Sequence, residues 1–579
     1  MNRDDKMISW TRAALLSAMT LLASILVIGF AQAAYADGPA GNPNDQAAKF
    51  RQLGPESLPT PNIFRTASGA PGPAYWQQNA DYIINVTLDD ENRRIIGSET
   101  IRYTNNSPDP LRYLWVSLDQ NRFQDGSTAR MSETASTSGT RRSSGRSGDS
   151  LSFNALARQQ ALADVDYGAK IQAVKDSRGK NLSYVINDTM MRIDLPATLA
   201  PGETFTFGID WEHAMIDEAI IGGRGGYEYF PDNDTYIYFL AQWFPRMAAY
   251  TDYTGWQNKQ FLGRGEFTLE FGDYEVNITV PDDHVVSATG VLQNERKVLS
   301  AKHRRRLNKA RDADKPMFII TPEEAKENED GEKSRDFVTW QFKAENVRDF
   351  AWSSSRKYIW DAQGYKQDSD ENPFVMAMSF YPNEAEPIWS MYSTQAVIHT
   401  MDVYNRFAFD YPYPTALSVN TWERGGMEYP MITFNGYRPS TNEKTGEVTY
   451  SRGIKYGLIG VIIHEVGHIY FPMVVNSDER RWTWMDEGLN SFLEYLAEYE
   501  WEEGFPISGG VNNPLDVIPR YMTSDGQVPI MTQSDSILQF GPNAYSKPAA
   551  SLMVLRETVM GRELFDHAFK EYATRWKFK

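Results

Sequence analysis

The residues best suited to catalysis lie in the short segment 464–468, which reads His-Glu-Val-Gly-His. This segment sits in the apolar run 457–472, which predicts a helix stopped by Pro472. Residues four apart share a helical face, so the imidazoles of His464 and His468 would point the same way and could clamp one Zn²⁺. Glu465 lies beside that face, where it can reach a water molecule rather than the metal.

A catalytic zinc ion needs a third protein ligand and one open coordination position. Glu487 is the best candidate, because it begins a second predicted helix that the intervening loop lets pack against the first. Asp486 and Asn490 are candidates for supporting hydrogen bonds. A chance pair of histidines is the alternative, and 7 His in 579 residues make it rare. A structural zinc is disfavoured because such sites are usually closed by four ligands and rich in Cys. We therefore predict one catalytic Zn²⁺ per chain.

These residues resemble the gluzincin aminopeptidases, the family of aminopeptidase N and leukotriene hydrolase. The signature of that family is HExxH, eighteen further residues and then Glu, which is the spacing of His468 and Glu487. Its Gly-x-Met-Glu-Asn motif is similar to segment 425–429, where Tyr429 replaces the usual Asn. The resemblance implies that Glu428 binds the free α-amino group of a peptide and that the neighbouring strand pairs with its backbone. The substrate-binding residues implied by this motif are Gly425, Gly426, Met427 and Glu428.

Two further residues take a role only from the resemblance. Tyr545 lies in a segment similar to the family's Tyr-x-Lys-Gly, with Pro548 in place of Gly, and would donate a hydrogen bond to the oxyanion. Gln242 would match a glutamine of the β-domain that reaches the substrate amine. Without the family, Tyr545 and Gln242 read as packing residues and Glu428 as a carboxylate between strands.

Composition limits the classes of function. Lys+Arg 58 against Asp+Glu 76 gives a net charge of -18, which disfavours a nucleic-acid partner. A chain of 579 residues predicts two or three domains. The chain has no Cys, so an exported form uses no disulfides.

The order of elements predicts a multidomain protein, β and then α+β. Period-two patterns, such as Tyr82, Ile84, Val86 and Leu88, predict an N-terminal antiparallel β-sandwich over 75–348, with strands that include 265–271. Polar segments 126–150 and 301–335 are predicted to be loop insertions, the second a solvated hairpin. Helical periodicity from about 349 predicts a catalytic domain over 349–579, which the resemblance implies is thermolysin-like.

Residues 1–36 have the pattern of a signal peptide. Basic residues precede an apolar run, and Ala34-Tyr35-Ala36 offers a cleavage site. The run is long enough to leave an uncleaved membrane anchor open. A Pro-rich linker or surface arm is predicted over 37–74. We therefore expect an exported protein, periplasmic or extracellular.

The expected function is zinc-dependent hydrolysis of peptides, most simply as an aminopeptidase. The alternatives that stay open are an endopeptidase or an epoxide hydrolase on the same scaffold, and a non-catalytic envelope binding protein. The family continues with a C-terminal helical region, so a further segment or a naturally short chain is expected. The sequence does not predict the oligomeric state or the side-chain preference.

Overall fold

The computed structural model describes residues 60–132, 153–421, 425–442, 444–506 and 514–579, all of which lie in the unit Thr60–Lys579. The predicted signal segment, the first part of the predicted linker and most of the 126–150 insertion lie outside the described residues. Of that insertion, Thr128–Ser132 is helical. Of the predicted linker, residues 60–74 contact the rest of the unit, for example through an ion pair of Arg65 with Asp252 at 2.9 Å.

The N-terminal part is rich in strands, as predicted. Its largest sheet has seven strands, in the spatial order Val291–Leu292, Phe337–Val347, Gly272–Pro281, Asn79–Asp89, Arg94–Thr104, Thr204–Ala214 and Lys170–Asp176. Alternate residues of the strand Asn79–Asp89 are buried on one face of this sheet, which confirms the period-two prediction for Tyr82, Ile84, Val86 and Leu88. One prediction is wrong: Asn79–Asp89 pairs with Gly272–Pro281 in parallel, so the sheet is mixed and not antiparallel throughout.

Two four-stranded sheets accompany the seven-stranded sheet. The first contains Arg246–Met247, Leu111–Ser117, Met190–Leu199 and Tyr184–Asn187, and the second contains Val285–Ala288, Trp352–Ser355, Thr235–Leu240 and Gly226–Phe230. Short hairpins are formed by Tyr250–Thr251 with Gly255–Trp256 and by Ser440–Thr441 with Val448–Thr449. The buried side chains of all three larger sheets belong to one continuous hydrophobic core.

The predicted strand 265–271 is absent from the structure. Its backbone forms only an isolated antiparallel bridge, between Leu269 and Ala248, and a carboxylate satisfies a further N–H group, since Phe267 N donates to Glu479 Oε2 at 3.0 Å. Carboxylates can satisfy buried N–H groups as well as a strand does, so an apolar alternation alone does not ensure pairing.

The prediction of a loop over 301–335 is also wrong. This segment contains helix Ala301–Ala310, strand Met317–Ile320 and helix Pro322–Asp330. Thr321 and Glu324 form a capping box at the start of the second helix. Lys302 and Arg306 of the first helix both pair with Glu324, so the basic and acidic runs neutralise each other across the two helices.

The C-terminal part is mostly helical, but it also contains a sheet whose first strands the helical periodicity did not predict. Its six-stranded sheet has the order Met317–Ile320, Ile359–Lys366, Phe374–Tyr381, Thr415–Asn420, Ile432–Asn435 and Gly426–Tyr429. The last of these, the edge strand, carries Glu428. The expectation of helix from about 349 is therefore wrong as far as 381.

Three long helices pack beside this sheet: Ile388–Phe407, Arg452–His468 (the histidine helix) and Leu489–Trp501 (the glutamate helix). The remaining α-helices are Phe153–Asp164, Glu295–Val298, Pro514–Val517, Pro519–Met522, Lys547–Val554 and Arg562–Trp576. Single π-type turns occupy Ile469–Val474, Trp484–Gly488, Pro542–Ser546 and Leu555–Val559, and 3₁₀ turns occupy Asp119–Phe123, Asn383–Ala385 and Ser534–Ser536.

One described helical stretch, Arg452–Val474, has the length and the mean hydropathy, 1.4, of a membrane span. Its most apolar window is 83 % buried inside the fold, as expected for a core helix of a folded domain. It is therefore weak evidence for a membrane segment.

Buried ion pairs join the strand-rich and helical parts. Arg480 pairs with Asp119 at 2.9 Å, and Arg348 pairs with Glu479 at 2.7 Å. Arg246 contacts both Asp119 and Asp349 in the same interior. Each charge is thereby compensated by an opposite one, which buried ions require.

Candidate active site

The histidine helix holds His464 and His468 on one face. Its first turn is capped by Ser451, whose side chain accepts from Ile454 N at 3.2 Å, and most of the helix beyond that turn is buried. The Nε2 atoms of His464 and His468 lie 2.9 Å apart. The predicted pairing of the two imidazoles is therefore present in the structure.

The turn Trp484–Gly488 brings Glu487 to the same point. Its Oε2 lies 3.3 Å from His464 Nε2 and 3.2 Å from His468 Nε2, and has no hydrogen-bond partner in the described residues. Zinc–ligand bonds of about 2.0–2.1 Å in a tetrahedron put ligand atoms about 3.3 Å apart. The three observed separations are close to that value, so these residues fit a zinc ion.

Hydrogen bonds to the other ring nitrogens orient both imidazoles. His464 Nδ1 donates to Glu494 Oε2 at 2.8 Å, and His468 Nδ1 donates to the carbonyl of Phe471 at 2.8 Å. An acceptor thus holds Nδ1 of each ring, which leaves Nε2 of each ring to face the shared point, as a metal ligand requires. Asp486 also approaches His468 Nδ1, at 3.0 Å.

Charge in this pocket favours a cation. Burial by itself lowers the pKa of His464, but the carboxylates of Glu494 and Glu487 raise it well above its usual range. Burial raises the pKa of Glu487, yet the two imidazoles outweigh burial and hold that pKa far below its usual range. The pocket thus stabilises positive charge among the histidines and negative charge on Glu487.

Asn490 supports the helix that bears the histidines. Its Nδ2 donates to the carbonyl of His464 at 2.8 Å, and its Oδ1 accepts from Tyr404 at 2.8 Å. Gly467 leaves the space for these two groups, because a Cβ there would lie 2.3 Å from Asn490 Oδ1 and 2.3 Å from the Tyr404 hydroxyl. The supporting role predicted for Asn490 and Asp486 is thus consistent with their contacts.

Glu465 lies beside the predicted zinc ligands without touching them in a hydrogen bond. It is buried, its Oε2 has no partner within the described chain, and burial followed by the charge of Glu428 raises its pKa well above the usual range. A Cβ on Gly426 would lie 2.5 Å from Glu465 Oε1, so a glycine there leaves room for this carboxyl group. A carboxyl group with a raised pKa is suited to accept a proton near neutral pH.

Glu428 belongs to a second cluster of carboxylates behind His468. Oxygens of Glu428, Glu266 and Asp486 all lie within 4.8 Å of one another, and Glu428 Oε1 has no partner among the described residues. Burial, followed by the neighbouring carboxylates Glu266 and Glu487, raises the pKa of Glu428 to about 7 although His468 lowers it. Such a pocket offers two or more acceptors to a cationic ligand.

Glu266 was not predicted from the sequence. It comes from segment 265–271 of the strand-rich part and pairs with Arg224. Gln242, which was predicted to supply the contact from this part, is buried with a positive backbone φ of 55°, and its Nε2 has no hydrogen-bond partner in the part of the chain described. The structure therefore places Glu266 next to Glu428 and records no contact between Gln242 and Glu428.

The other residues of the predicted substrate motif divide between the cavity and the core. Gly425 and Gly426 line the cavity beside Glu465, whereas Met427 is part of the hydrophobic core. The ring of Tyr429 meets Phe267 edge-on at 5.7 Å. Successive residues of a strand point to opposite faces, so Tyr429 packs in the core while Glu428 faces the cluster.

Tyr545 lies within the site, on the turn Pro542–Ser546. Its hydroxyl donates to Glu487 Oε1 at 2.5 Å, and its ring stacks on that of His464 at 5.7 Å. Burial and the charge of Glu487 raise its pKa well above the usual range, so it is a hydrogen-bond donor at neutral pH. The geometry is compatible with the oxyanion role implied by the resemblance.

A cavity of about 1160 Å³ opens on the His464 side of this constellation. Its walls include Glu465, Glu494 and Tyr545, and it runs along the histidine helix past Gly460 and Gly453. Glu428 and Glu266 are not among the residues that line it, although Glu428 lies within 4.8 Å of Glu465 and His468. The site therefore combines an open cavity with a neighbouring cluster of buried carboxylates.

The sequence analysis also did not identify Glu494 as a residue of the site. A signal for it exists: Glu487, Asn490, Glu494 and Glu498 recur at spacings of three and four along one predicted helix, which places them on one face. No comparable signal exists for Glu266, which lies in an irregular segment remote in sequence.

Comparison with known proteins adds an independent finding. The Peptidase family M1 domain matches residues 389–579. Glutamyl aminopeptidase of Bos taurus is 26 % identical over 192 residues, which are 32 % of this chain and 20 % of that protein. Endoplasmic reticulum aminopeptidase 2 of Homo sapiens is 23 % identical over 217 residues, 35 % of this chain and 21 % of that protein. The chain thus matches about a fifth of the length of these relatives.

Solved structures extend the likeness to most of the chain. An M1 zinc metallopeptidase of Deinococcus radiodurans superposes with a TM-score of 0.52 at 14 % identity, covering 88 % of this chain and 89 % of that one. At this identity the likeness concerns the fold, a strand-rich N-terminal part followed by a helical part. Residues 389–579, which include all three predicted zinc ligands, match the Peptidase family M1 domain, and this match supports the resemblance of the motifs to the gluzincin aminopeptidases.

Proposed function

We propose that this chain is a zinc-dependent aminopeptidase that releases single residues from the free amino terminus of peptides. The observation that carries the proposal is the buried cluster of Glu428, Glu266 and Asp486, in which Glu428 lies within 4.8 Å of His468. A buried group of carboxylates suits the ammonium group of a free amino terminus. An endopeptidase would need an open groove on both sides of the scissile bond.

His464, His468 and Glu487 are the residues that would hold the metal. When bound, a zinc ion supplies Lewis acidity, which polarises a carbonyl and lowers the pKa of water towards about 7. All other steps fall to side chains of this chain. The cluster at Glu428 fixes the substrate ammonium and thereby sets the bond that is cut.

Glu465 is positioned to move the proton. Its carboxylate takes a proton from the attacking water and delivers it to the leaving amine as the peptide bond breaks. Its buried position with an unpartnered Oε2 keeps it free for this transfer. Tyr545 turns its hydroxyl from Glu487 to the developing oxyanion, a hydrogen bond that typically contributes about 2.7–4 kcal/mol in such sites.

The test is hydrolysis of a panel of aminoacyl fluorophores beside N-acetylated peptides, with chelator treatment and zinc restoration. We expect cleavage that requires zinc and a free amino terminus. The variant Glu428→Gln should raise KM for free amino termini, because an ammonium loses a charged partner. Efficient cleavage of the acetylated peptides would overturn the aminopeptidase assignment, and no cleavage of any substrate would favour a binding protein.

Export is a separate part of the proposal and rests on the sequence of residues 1–36 alone. The basic start, the apolar run and the Ala-Tyr-Ala site support delivery to the periplasm or the extracellular space, with membrane anchoring as the variant form. Cell fractionation with amino-terminal sequencing of the mature protein tests this. A cytoplasmic product that begins at Met1 would contradict it.

A further inference from the structure

Glu498 is a buried carboxyl group of the cavity that the proposed reaction does not use. It lies on the glutamate helix, one turn beyond Glu494, and is only 5 % exposed. Its Oε2 has no hydrogen-bond partner, and no ion pair reaches it, among the residues that the structure describes. A buried carboxyl group without a partner is costly unless something else satisfies it.

The wall opposite Glu498 is a glycine of the histidine helix. A Cβ on Gly460 would lie 2.8 Å from Glu498 Oε1, so any larger residue would push the carboxyl group aside. Both residues line the cavity. The missing side chain thus leaves the carboxyl group facing the space that a substrate would occupy.

The order of residues along the histidine helix defines which part of a substrate reaches Glu498. Gly460, His464 and His468 follow one another at four-residue intervals, about 6 Å per step. The anionic cluster at Glu428 lies at the His468 end, and Glu498 lies at the Gly460 end. With the amino terminus held at the first end, the chain after the scissile bond must run towards the second.

We propose that Glu498 selects peptides with a lysine or arginine as the first residue after the scissile bond, by pairing with its cationic side chain. This inference rests on the proposed aminopeptidase function. An extended Lys side chain spans about 6 Å, which matches the helical step from His464 to Gly460. Glu494, which also lines the cavity, adds negative charge near the same path.

The electrostatics of the cavity support this pairing. Burial, and then the charge of Glu494, raise the pKa of Glu498 well above its usual range, whereas His464 lowers it. A bound ammonium or guanidinium group would favour the ionised carboxylate in place of the neutral acid. A cation at this point would therefore be favoured by the carboxyl groups of Glu498 and Glu494.

The experiment uses the zinc-loaded full chain and tetrapeptides Z-X-Gly-Gly, in which Z is the residue released fastest from the fluorophore panel. X is Lys, or norleucine as its neutral counterpart of similar length. We expect kcat/KM for Lys to exceed that for norleucine by about tenfold or more, as for a hydrogen bond to a charged group. In Glu498→Gln this ratio should fall towards one.

A matched control is Glu500→Gln, on the same helix, where the native carboxylate pairs with the half-exposed Arg406 at 2.5 Å. This variant should keep the wild-type ratio. Zinc content and circular dichroism report whether Glu498→Gln folds. If it does not, the wild-type series Lys, ornithine, diaminopropionate still tests the idea, because the preference over norleucine should fall as the cation retreats from Glu498.

The inference would be overturned if the wild type released Z without a preference for Lys. It would also be overturned if folded Glu498→Gln kept the wild-type ratio of kcat/KM for Lys over norleucine. Either result would leave the aminopeptidase function standing. A wild-type preference that does not decline along the shortened series would also overturn it. Failure to release Z from any peptide would overturn both.

Discussion

Removal of the carboxylate of Glu494 should weaken zinc binding, although Glu494 is not a metal ligand. It accepts a hydrogen bond from His464 Nδ1 at 2.8 Å and so fixes the tautomer and the orientation of that ring. The variant Glu494→Leu removes the acceptor, while Glu494→Gln keeps an acceptor oxygen but loses the charge. The two variants therefore separate the charge from the hydrogen bond.

The expected magnitude follows from the type of bond. A hydrogen bond to a charged group contributes about 1.5–3 kcal/mol and a neutral one about 0.5–1.5 kcal/mol. With about 1.4 kcal/mol for each factor of ten, Glu494→Leu should raise the zinc Kd by about 10- to 100-fold. Glu494→Gln should raise it by about three- to tenfold, because roughly half of the interaction remains.

Competition with a fluorescent zinc chelator measures these constants without reference to turnover. Glu500→Gln, a carboxylate lost from the outer face of the same helix, serves as the control for altered helix charge. A zinc Kd for Glu494→Leu within twofold of wild type would refute the reasoning. Equal weakening by Glu500→Gln would show that the effect is general electrostatics and not orientation of His464.

Four further outcomes are expected. Glu465→Gln should retain zinc, measured by metal analysis, yet lose at least about 10²-fold in kcat because the base is gone; wild-type turnover would contradict this. Tyr545→Phe should lower kcat by about 10²- to 10³-fold with little change in KM, and an unchanged kcat in steady-state assays would remove its role. Gly467→Ala, usually favourable in a helix, should here cost about 1–3 kcal/mol in urea unfolding because the methyl group meets Asn490. Arg246→Met should cost about 3–5 kcal/mol in the same assay, since buried Asp349 loses its ion-pair partner and Asp119 keeps only Arg480; a stability equal to wild type would show that Asp349 is compensated otherwise.

The candidate zinc site was largely predictable because its residues lie within two helices of strong local pattern. Four-residue spacing alone places His464 and His468 on one face, and the start of the next helix brings Glu487 back to them. Glu494 shares that helical pattern and was within reach of the same reasoning. Glu498 lies one turn beyond Glu494 on the same helix.

Other parts were not predictable from local pattern. The charge-rich segment 301–335 is predicted to be solvated when each charge is considered separately. In the structure, two of its helices lie side by side, and this arrangement brings Lys302 and Arg306 to Glu324. The strands Ile359–Lys366 and Phe374–Tyr381 are buried inside a sheet, so they lack the polar alternation that marks a half-exposed strand. Glu266 joins the site through tertiary packing alone.

The position of Glu266 shows why the anionic end of the site depends on both parts of the chain. Glu479, eight residues before Glu487 in the sequence, accepts from Phe267 N at 3.0 Å with one oxygen and from Arg348 at 2.7 Å with the other. The residue next to Glu266 is thereby tied to the loop that leads to the third predicted zinc ligand. In the proposed reaction, the spacing between the ammonium site at Glu266 and the zinc ligand Glu487 therefore depends on both parts of the chain, because the buried carboxylate of Glu479 joins them.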